Sequence, residues 1–229
     1  MGLDPVEILF QMIAFLFAIS VHESAHAWTA SRCGDQTARM LGRVTLNPIK
    51  HIDPVGTIIL PVVAAISHIP LLGWAKPTPV DPRNFKNPVM DDILTSVAGP
   101  VSNFIVATGA LFVLGGIALT SASGHSAVAG VLNGANGSSD STLFPLSKLV
   151  FELMFINIVL AVFNLIPVPP LDGSHVIRHF MSEPVRRAYD SVGIFGLLAL
   201  VYLGGGLLSA LIRPFIGFYV TMLVKFLNV

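Results

Sequence analysis

The sequence predicts an all-α membrane protein, built as a polytopic bundle of helices. Of its 229 residues, 53% are hydrophobic and only 11% are charged, whereas soluble domains carry about 25% charged residues. The mean hydropathy is +0.76. Long apolar runs alternate with short polar stretches, and the longest runs exceed the ~20 residues that a helix needs to cross a bilayer. We therefore expect the lipid bilayer to be the protein's immediate environment.

Composition also narrows the possible functions. The formal net charge is +0, so nothing indicates a nucleic-acid partner. The single cysteine, Cys33, excludes an internal disulfide and a cysteine-based zinc cluster. The first residues carry Asp4 and Glu7 and no basic residue, which does not fit the start of a secretory signal peptide.

Three apolar segments, residues 5–30, 92–120 and 145–166, are predicted to cross the membrane as a three-helix core. The third segment ends at Pro167, because the prolines at 167, 169 and 170 cannot continue a helix. No internal repeat or separate soluble domain is visible. We expect one integral membrane domain over residues 1–229, with a catalytic core at about 5–182.

The end of the chain is predicted to form a helical hairpin over residues about 190–229. Its two apolar segments are residues 192–211 and 214–227. Arg213–Pro214 lies between them and is the expected turn.

A short membrane-associated β or re-entrant segment is expected after the first helix. Residues 44–46 favour a short strand that ends at Asn47–Pro48. Residues 54–72 are apolar but short, and basic residues flank them on both sides. An even number of crossings then fits best, which favours a re-entrant hairpin. The alternative, a short true span, would invert the helices that follow.

The basic residues predict the orientation. Loops 32–50 and 73–90 and the segment around Arg178, Arg186 and Arg187 contain ten of the 13 Lys and Arg residues, whereas the loop 121–144 contains none. Basic loops stay in the cytoplasm, so we expect a multi-pass protein of the cell (inner) membrane. Its first helix would then place residues 22–26 in the inner half of the bilayer, toward the cytoplasmic side.

The motif His22-Glu23-Ser24-Ala25-His26 lies at the end of the first apolar run. Two histidines at i and i+4 project from one face of a helix and can bind one metal ion. Glu23 is then placed to act as a general base on a water molecule. Ionisable side chains inside a membrane are costly and usually functional. We therefore expect a zinc (Zn²⁺) peptidase site within the membrane.

A tetrahedral zinc site of this kind needs a third protein ligand. Asp172 is the best candidate, because it follows the proline cluster, precedes Gly173 and comes to the same predicted depth as His26. Glu152 is a weaker candidate at the outer end of its helix, and Glu183 lies in a polar cytoplasmic stretch.

Three further polar residues have two interpretations each. Asn103 either bonds a neighbouring helix or binds the substrate or the oxyanion that forms during hydrolysis. Asn164 either caps carbonyls freed by the proline cluster or takes the same substrate role. His51 either polarises the oxyanion or lies at the membrane interface.

Together these motifs resemble the site-2 proteases, intramembrane zinc metalloproteases of peptidase family M50. The resemblance rests on the His22–His26 motif, on Ala98-Gly99-Pro100 with Asn103, and on the stretch from Asn164 to Gly173. Residues 42–48 and 51–57 are similar to the compact prokaryotic branch, without PDZ or CBS domains. The resemblance implies metal ligands at His22, His26 and Asp172, a base at Glu23, and transmembrane protein substrates such as anti-sigma factors or signal-peptide remnants.

Two function classes follow. The first is a zinc-dependent intramembrane endopeptidase that cleaves within or near transmembrane segments. The second is a zinc-binding membrane protein without peptidase activity, either a transporter or an inactive scaffold. A transporter needs ionisable residues spread along a path, whereas this sequence concentrates them at one depth. The oligomeric state and the physiological substrate do not follow from the sequence.

Overall fold

The computed structural model describes residues 5–60, 63, 73–134 and 142–228. Within these ranges the chain is helical and contains no β-strand. The helices are α1 (Pro5–Cys33), α2 (Thr37–Met40), α3 (Pro88–Thr120), α4 (Ala122–Leu132), α5 (Leu143–Asn164), α6 (Asp172–Arg178), α7 (Glu183–Leu203) and α8 (Gly205–Leu227).

Four of these helices, α1, α3, α5 and α8, are long and apolar enough to cross a membrane. The shortest, α5, has 22 residues and is about 33 Å long at 1.5 Å per residue, against a hydrocarbon core of about 30 Å. In hydrocarbon a helix satisfies its own backbone hydrogen bonds. The prediction of a polytopic helical membrane protein is confirmed.

Helices α1, α3 and α5 pack against one another, and the main hydrophobic cluster lies where α3 and α5 meet α4 and α8. Helix α3 contributes Ala107, Ala110 and Ala118 to this cluster, and α5 contributes Met154 and Ile158. Small residues let helix backbones approach closely, which is how helices associate in lipid. This close packing fixes the faces of the three helices that carry polar groups.

The C-terminal helices meet at a different residue from the predicted one. The structure ends α7 at Leu203 and begins α8 at Gly205, so the turn is at Gly204, and Pro214 lies inside α8. The expected turn at Arg213–Pro214 is therefore wrong. Three consecutive glycines from Gly204 disfavour a continuous helix, whereas proline is tolerated inside membrane helices. The division into a core and a C-terminal hairpin stays a prediction.

Residues 44–46 form a bend rather than the expected strand. The backbone carbonyl of Thr45 accepts hydrogen bonds from the Ser24 hydroxyl and from His51 Nε2, the latter at 2.8 Å. These side-chain bonds use the carbonyl that a strand would offer to a neighbouring strand. A second departure from expectation is α4, which lies in a stretch predicted to be a loop.

The two described ends of the predicted re-entrant segment lie side by side. The backbone N–H of Trp74 donates to the carbonyl of Gly56 at 3.2 Å, and the Thr57 hydroxyl donates to the carbonyl of Trp74 at 2.8 Å. Residues 54–59 form one π-helical turn. Residues 61–62 and 64–72 lie outside the described residues, so the re-entrant path stays a prediction.

Asp35 ties the C-terminal end of α1 to the segment that precedes α3. Its buried carboxylate accepts hydrogen bonds from Thr37 N–H at 3.1 Å, Asp81 N–H at 2.8 Å and Asn84 Nδ2 at 2.9 Å. Residues 81–84 are thereby held against the end of α1.

Candidate metal centre

Two buried imidazoles on α1 face each other. His22 and His26 are 5% and 8% exposed, and their Nε2 atoms lie 3.0 Å apart. The spacing of four residues places both rings on one face of the helix, as predicted.

Asp172, the first residue of α6, lies next to both imidazoles. Its Oδ2 lies 3.1 Å from His22 Nε2 and 3.4 Å from His26 Nε2. Gly173 makes this position possible, because a Cβ there would lie 2.2 Å from the carbonyl oxygen of Leu165. The end of α5 and the start of α6 therefore pack so closely that the residue after Asp172 must be glycine.

The outer nitrogen of each imidazole has a hydrogen-bond acceptor. His26 Nδ1 lies 2.7 Å from the carbonyl of Thr95, so this nitrogen carries the proton. His22 Nδ1 lies 2.6 Å from Oδ1 of Asn103. The Asn103 amide donates to the carbonyl of Ala18 and to Oδ1 of Asn157, which assigns Oδ1 of Asn103 as the acceptor from His22.

With both protons on Nδ1, the neutral rings present two Nε2 lone pairs beside a carboxylate oxygen. Asp172 Oδ2 is buried, and within the described ranges it receives no hydrogen bond. In this tautomer three acceptors converge without a donor between them, an arrangement that a cation, either a proton or a metal ion, stabilises. Ligand atoms at about 2.0–2.2 Å from a tetrahedral zinc ion lie roughly 3.3 Å apart, close to the three separations in the protein. The donor set therefore fits zinc.

Gly99 of α3 leaves room for this cluster. A Cβ at this position would lie 2.4 Å from His26 Nε2 and 2.7 Å from His22 Nε2. Any larger residue would occupy the space that the two imidazoles need.

Glu23 is half-buried and follows His22 in the sequence. Its carboxylate accepts hydrogen bonds from a residue that lies outside α1. Thr78 donates to its Oε2 through both the hydroxyl, at 2.6 Å, and the backbone N–H, at 2.9 Å. Oε1 of Glu23 has no hydrogen bond among the described residues. One carboxylate oxygen is thus held and the other is free.

Comparison with known proteins agrees with this geometry. The model of peptidase family M50 matches residues 10–203, which is most of the chain and includes every residue of the cluster. The chain belongs to peptidase family M50. An M50 peptidase with four membrane-spanning helices is an intramembrane metalloendopeptidase, so the prediction of enzyme class is confirmed.

Curated relatives of this M50 peptidase support the assignment. YwhC of Bacillus subtilis (strain 168), named as a zinc metalloprotease, is 37% identical over 200 residues, which cover 87% of this chain and 82% of YwhC. Rip2 of Mycolicibacterium smegmatis, also named as a zinc metalloprotease, is 29% identical over 88% of this chain and 69% of Rip2. The regulator of sigma E protease of Haemophilus influenzae is 34% identical over 118 residues, covering 45% of this chain and 24% of that protein. No solved structure matches the chain.

The remaining predicted site residues of the M50 peptidase lie in different places. Asn103 is fully buried behind His22. Asn164 is half-buried at the end of α5, where its Nδ2 donates to the carbonyl of Leu160 at 3.0 Å. His51 is fully buried, with Nε2 on the carbonyl of Thr45.

Among the described residues, neither alternative third ligand belongs to the cluster of His22, His26 and Asp172. Glu183 is paired with Arg186 and Arg187 of its own helix. Glu152 belongs to α5 and lies beside Glu7 and Lys148.

Several residues that hold the site of the M50 peptidase were not identified from the sequence. They are Thr78, Thr95, Asn157 and Gly99, and the last of these leaves room for the two imidazoles because it has no side chain. Asn157 gave a signal, since it is an amide within an otherwise apolar membrane segment. Thr95 acts through its backbone carbonyl, so its side-chain type does not indicate a role at the site. Thr78 lies in an irregular segment, where no sequence pattern indicates its neighbours.

Proposed function

We propose that His22, His26 and Asp172 hold a zinc ion and that Glu23 is the general base for peptide-bond hydrolysis. The observation that carries the proposal is the convergence of two Nε2 atoms and one carboxylate oxygen within 3.4 Å of one another. Zinc at such a site acts as a Lewis acid and lowers the pKa of water to about 7.

Glu23 supplies the proton transfers. Its free Oε1 accepts a proton from the attacking water and then delivers it to the nitrogen of the leaving amine. Thr78 holds Oε2, so the two oxygens have separate tasks.

Asn103 positions His22 rather than contacting the substrate. Both amide hydrogens of Asn103 are engaged, by Ala18 and Asn157, and an oxyanion role would require one of these bonds to break. The interhelical interpretation is therefore the better supported of the two.

We propose different roles for Asn164 and His51. Asn164 donates from Nδ2 to the carbonyl of Leu160, four residues earlier in its own helix, and its partly exposed side chain leaves both the capping role and the substrate role open for test. His51 donates to the loop carbonyl of Thr45, and we assign it to holding that loop.

We further propose that the substrates are transmembrane segments of other membrane proteins. A peptide bond in a helix is shielded by the helix's own hydrogen bonds, so the substrate must unwind locally. Peptides with a helix-breaking glycine or proline near the cleavage site should be cleaved faster than matched leucine peptides. Equal cleavage rates would contradict a requirement for unwinding.

The test of the catalytic proposal replaces Glu23 with Gln in purified, zinc-loaded protein. We expect a loss of at least about 100-fold in the cleavage of a transmembrane peptide, the lower range for a general base, with the zinc content unchanged. Glu7→Gln is the matched control, because Glu7 is on the same helix and faces Lys148. Undiminished cleavage by Glu23→Gln would remove Glu23 from this role.

We place the site toward the cytoplasmic side of the inner membrane, on the basis of the basic loops. In a Cys33→Ser background, Met40→Cys and Ser123→Cys each place one thiol at an exposed position. An impermeant maleimide should label Ser123→Cys in spheroplasts and Met40→Cys only in inverted vesicles. The opposite pattern would invert the assigned orientation.

A further inference from the structure

An extended segment, residues 73–81, runs along α1 and past Glu23. Alternate residues donate their backbone N–H toward the protein. Trp74 donates to the carbonyl of Gly56 at 3.2 Å, and Lys76 donates to the carbonyl of His51 at 2.8 Å. The segment is thus held at several points before it reaches Glu23.

Thr78 is the residue of this segment that contacts Glu23. Its hydroxyl lies 2.6 Å from Oε2 of Glu23 and 3.1 Å from the backbone carbonyl of the same residue, and its N–H lies 2.9 Å from Oε2. Hydrogen bonds to a carboxylate are among the strong ones in proteins. Two donors on one oxygen fix both the position and the rotation of the carboxylate.

Prolines on both sides of Thr78 make this arrangement rigid. Pro77 and Pro79 have fixed φ angles, and each one holds the residue before it in an extended conformation. Neither proline has an N–H, so the N–H of Thr78 is the one backbone donor between residues 77 and 79. That donor is directed at Oε2 of Glu23.

We propose that Thr78 is a positioning residue of the peptidase, which holds Glu23 in a single rotamer for proton transfer. The inference rests on the proposed role of Glu23 as the base. A glutamate side chain has three rotatable bonds, and a misplacement of about 1 Å in a catalytic group can cost 100-fold in rate. The fixed Oε2 leaves Oε1 as the reactive oxygen.

The test is a Thr78→Val substitution, which removes the hydroxyl and keeps the shape and the backbone N–H. We expect kcat to fall about tenfold, the equivalent of one hydrogen bond to a charged group, with KM and zinc content unchanged. Thr78→Ser retains the hydroxyl and should have a kcat within about twofold of the wild-type value. Thr78→Ala provides the same measurement if the valine variant folds poorly.

The matched control is Thr57→Val. The Thr57 hydroxyl also attaches this segment, through the carbonyl of Trp74, but it does not touch Glu23. We expect wild-type kcat for this variant. A loss as large as that of Thr78→Val would assign the effect to attachment of the segment and overturn the proposal.

Two further outcomes separate this inference from the proposed function. Full activity of Glu23→Gln would overturn the base assignment and the inference with it. Loss of cleavage in Glu23→Gln together with wild-type kcat in Thr78→Val would overturn the role of Thr78 alone. An increase in KM without a change in kcat would also contradict positioning of the base.

Discussion

Nδ1 of His22 lies 2.6 Å from Oδ1 of Asn103, and Asn103 is completely buried. The contact joins α1 to α3, and the bond from Asn103 to Asn157 extends it to α5. The three helices of the core therefore meet in one buried polar network behind a proposed metal ligand. Such outer partners fix the tautomer and orientation of a ligating histidine.

We expect Asn103→Leu to weaken zinc binding by roughly 10- to 100-fold, the range seen when such outer partners are lost. Competition with a chelator of known zinc affinity would measure the change. Thr108→Val is the control, because Thr108 is on the same helix and bonds Tyr219 instead. Unchanged zinc affinity in the Asn103 variant would remove it from a positioning role.

Gly99→Ala should abolish zinc binding while the protein remains in the membrane. The added Cβ would lie 2.4 Å from His26 Nε2, so the imidazoles must move. Gly109→Ala and Gly116→Ala on the same helix provide controls, because a Cβ at either position meets no atom within 4 Å. Zinc stoichiometry of the purified variants measures the effect. Full occupancy in Gly99→Ala would contradict the tight geometry around the two rings.

His179 anchors α6, the helix that begins with Asp172. His179 Nε2 lies 2.7 Å from Oδ2 of Asp92 on α3, where Asp92 is 8% exposed. His179→Phe leaves that carboxylate without its closest partner, and should cost about 1–3 kcal/mol of stability, measured by thermal unfolding in detergent. His175→Phe is the comparison, because His175 is 3.7 Å from the same carboxylate and more exposed. Equal effects of the two substitutions would contradict this assignment.

Because the carboxylate of Asp35 attaches the loop before α3, we expect this attachment to be lost at acid pH. Burial raises the pKa of Asp35, but hydrogen bonds from Thr37, Asp81 and Asn84 outweigh it, so the pKa is lowered in the folded protein. The stabilisation is therefore present above the unfolded pKa of about 3.9, and it is lost as the pH falls through the lower folded value.

Hydrogen exchange of the Asp81 amide measures this attachment. The amide should be protected at neutral pH and should lose protection in Asp35→Ala at the same pH. The partly buried Asp53, which caps the π-helical turn instead, gives the control variant Asp53→Ala. Protection of Asp81 that survives Asp35→Ala would show that other contacts hold the loop.

The central site could be predicted because its signals are local. Helical spacing alone brings His22 and His26 together, and the proline cluster with Gly173 marks a turn that delivers Asp172. The spanning helices likewise follow from uninterrupted apolar runs. These features depend on neighbours within a few residues or on the thickness of the bilayer.

The remaining features depend on contacts between distant parts of the chain. The contact between Thr78 and Glu23 joins positions that are 55 residues apart, and no local pattern encodes it. The bend at 44–46 results from side chains of Ser24 and His51 that occupy the Thr45 carbonyl. The sequence indicates a turn at Pro214 rather than at Gly204, because proline breaks helices in water but is tolerated inside membrane helices.

X-ray absorption at the zinc edge of the purified protein measures the ligands of the proposed metal ion. We expect one zinc per chain in a shell of nitrogen and oxygen atoms, with two imidazoles and no sulfur, and loss of this shell in Asp172→Asn. A zinc ion with a sulfur ligand, which only Cys33 or a methionine can provide, would contradict this expectation. So would a stoichiometric zinc shell that persists when His22 and Asp172 are both replaced.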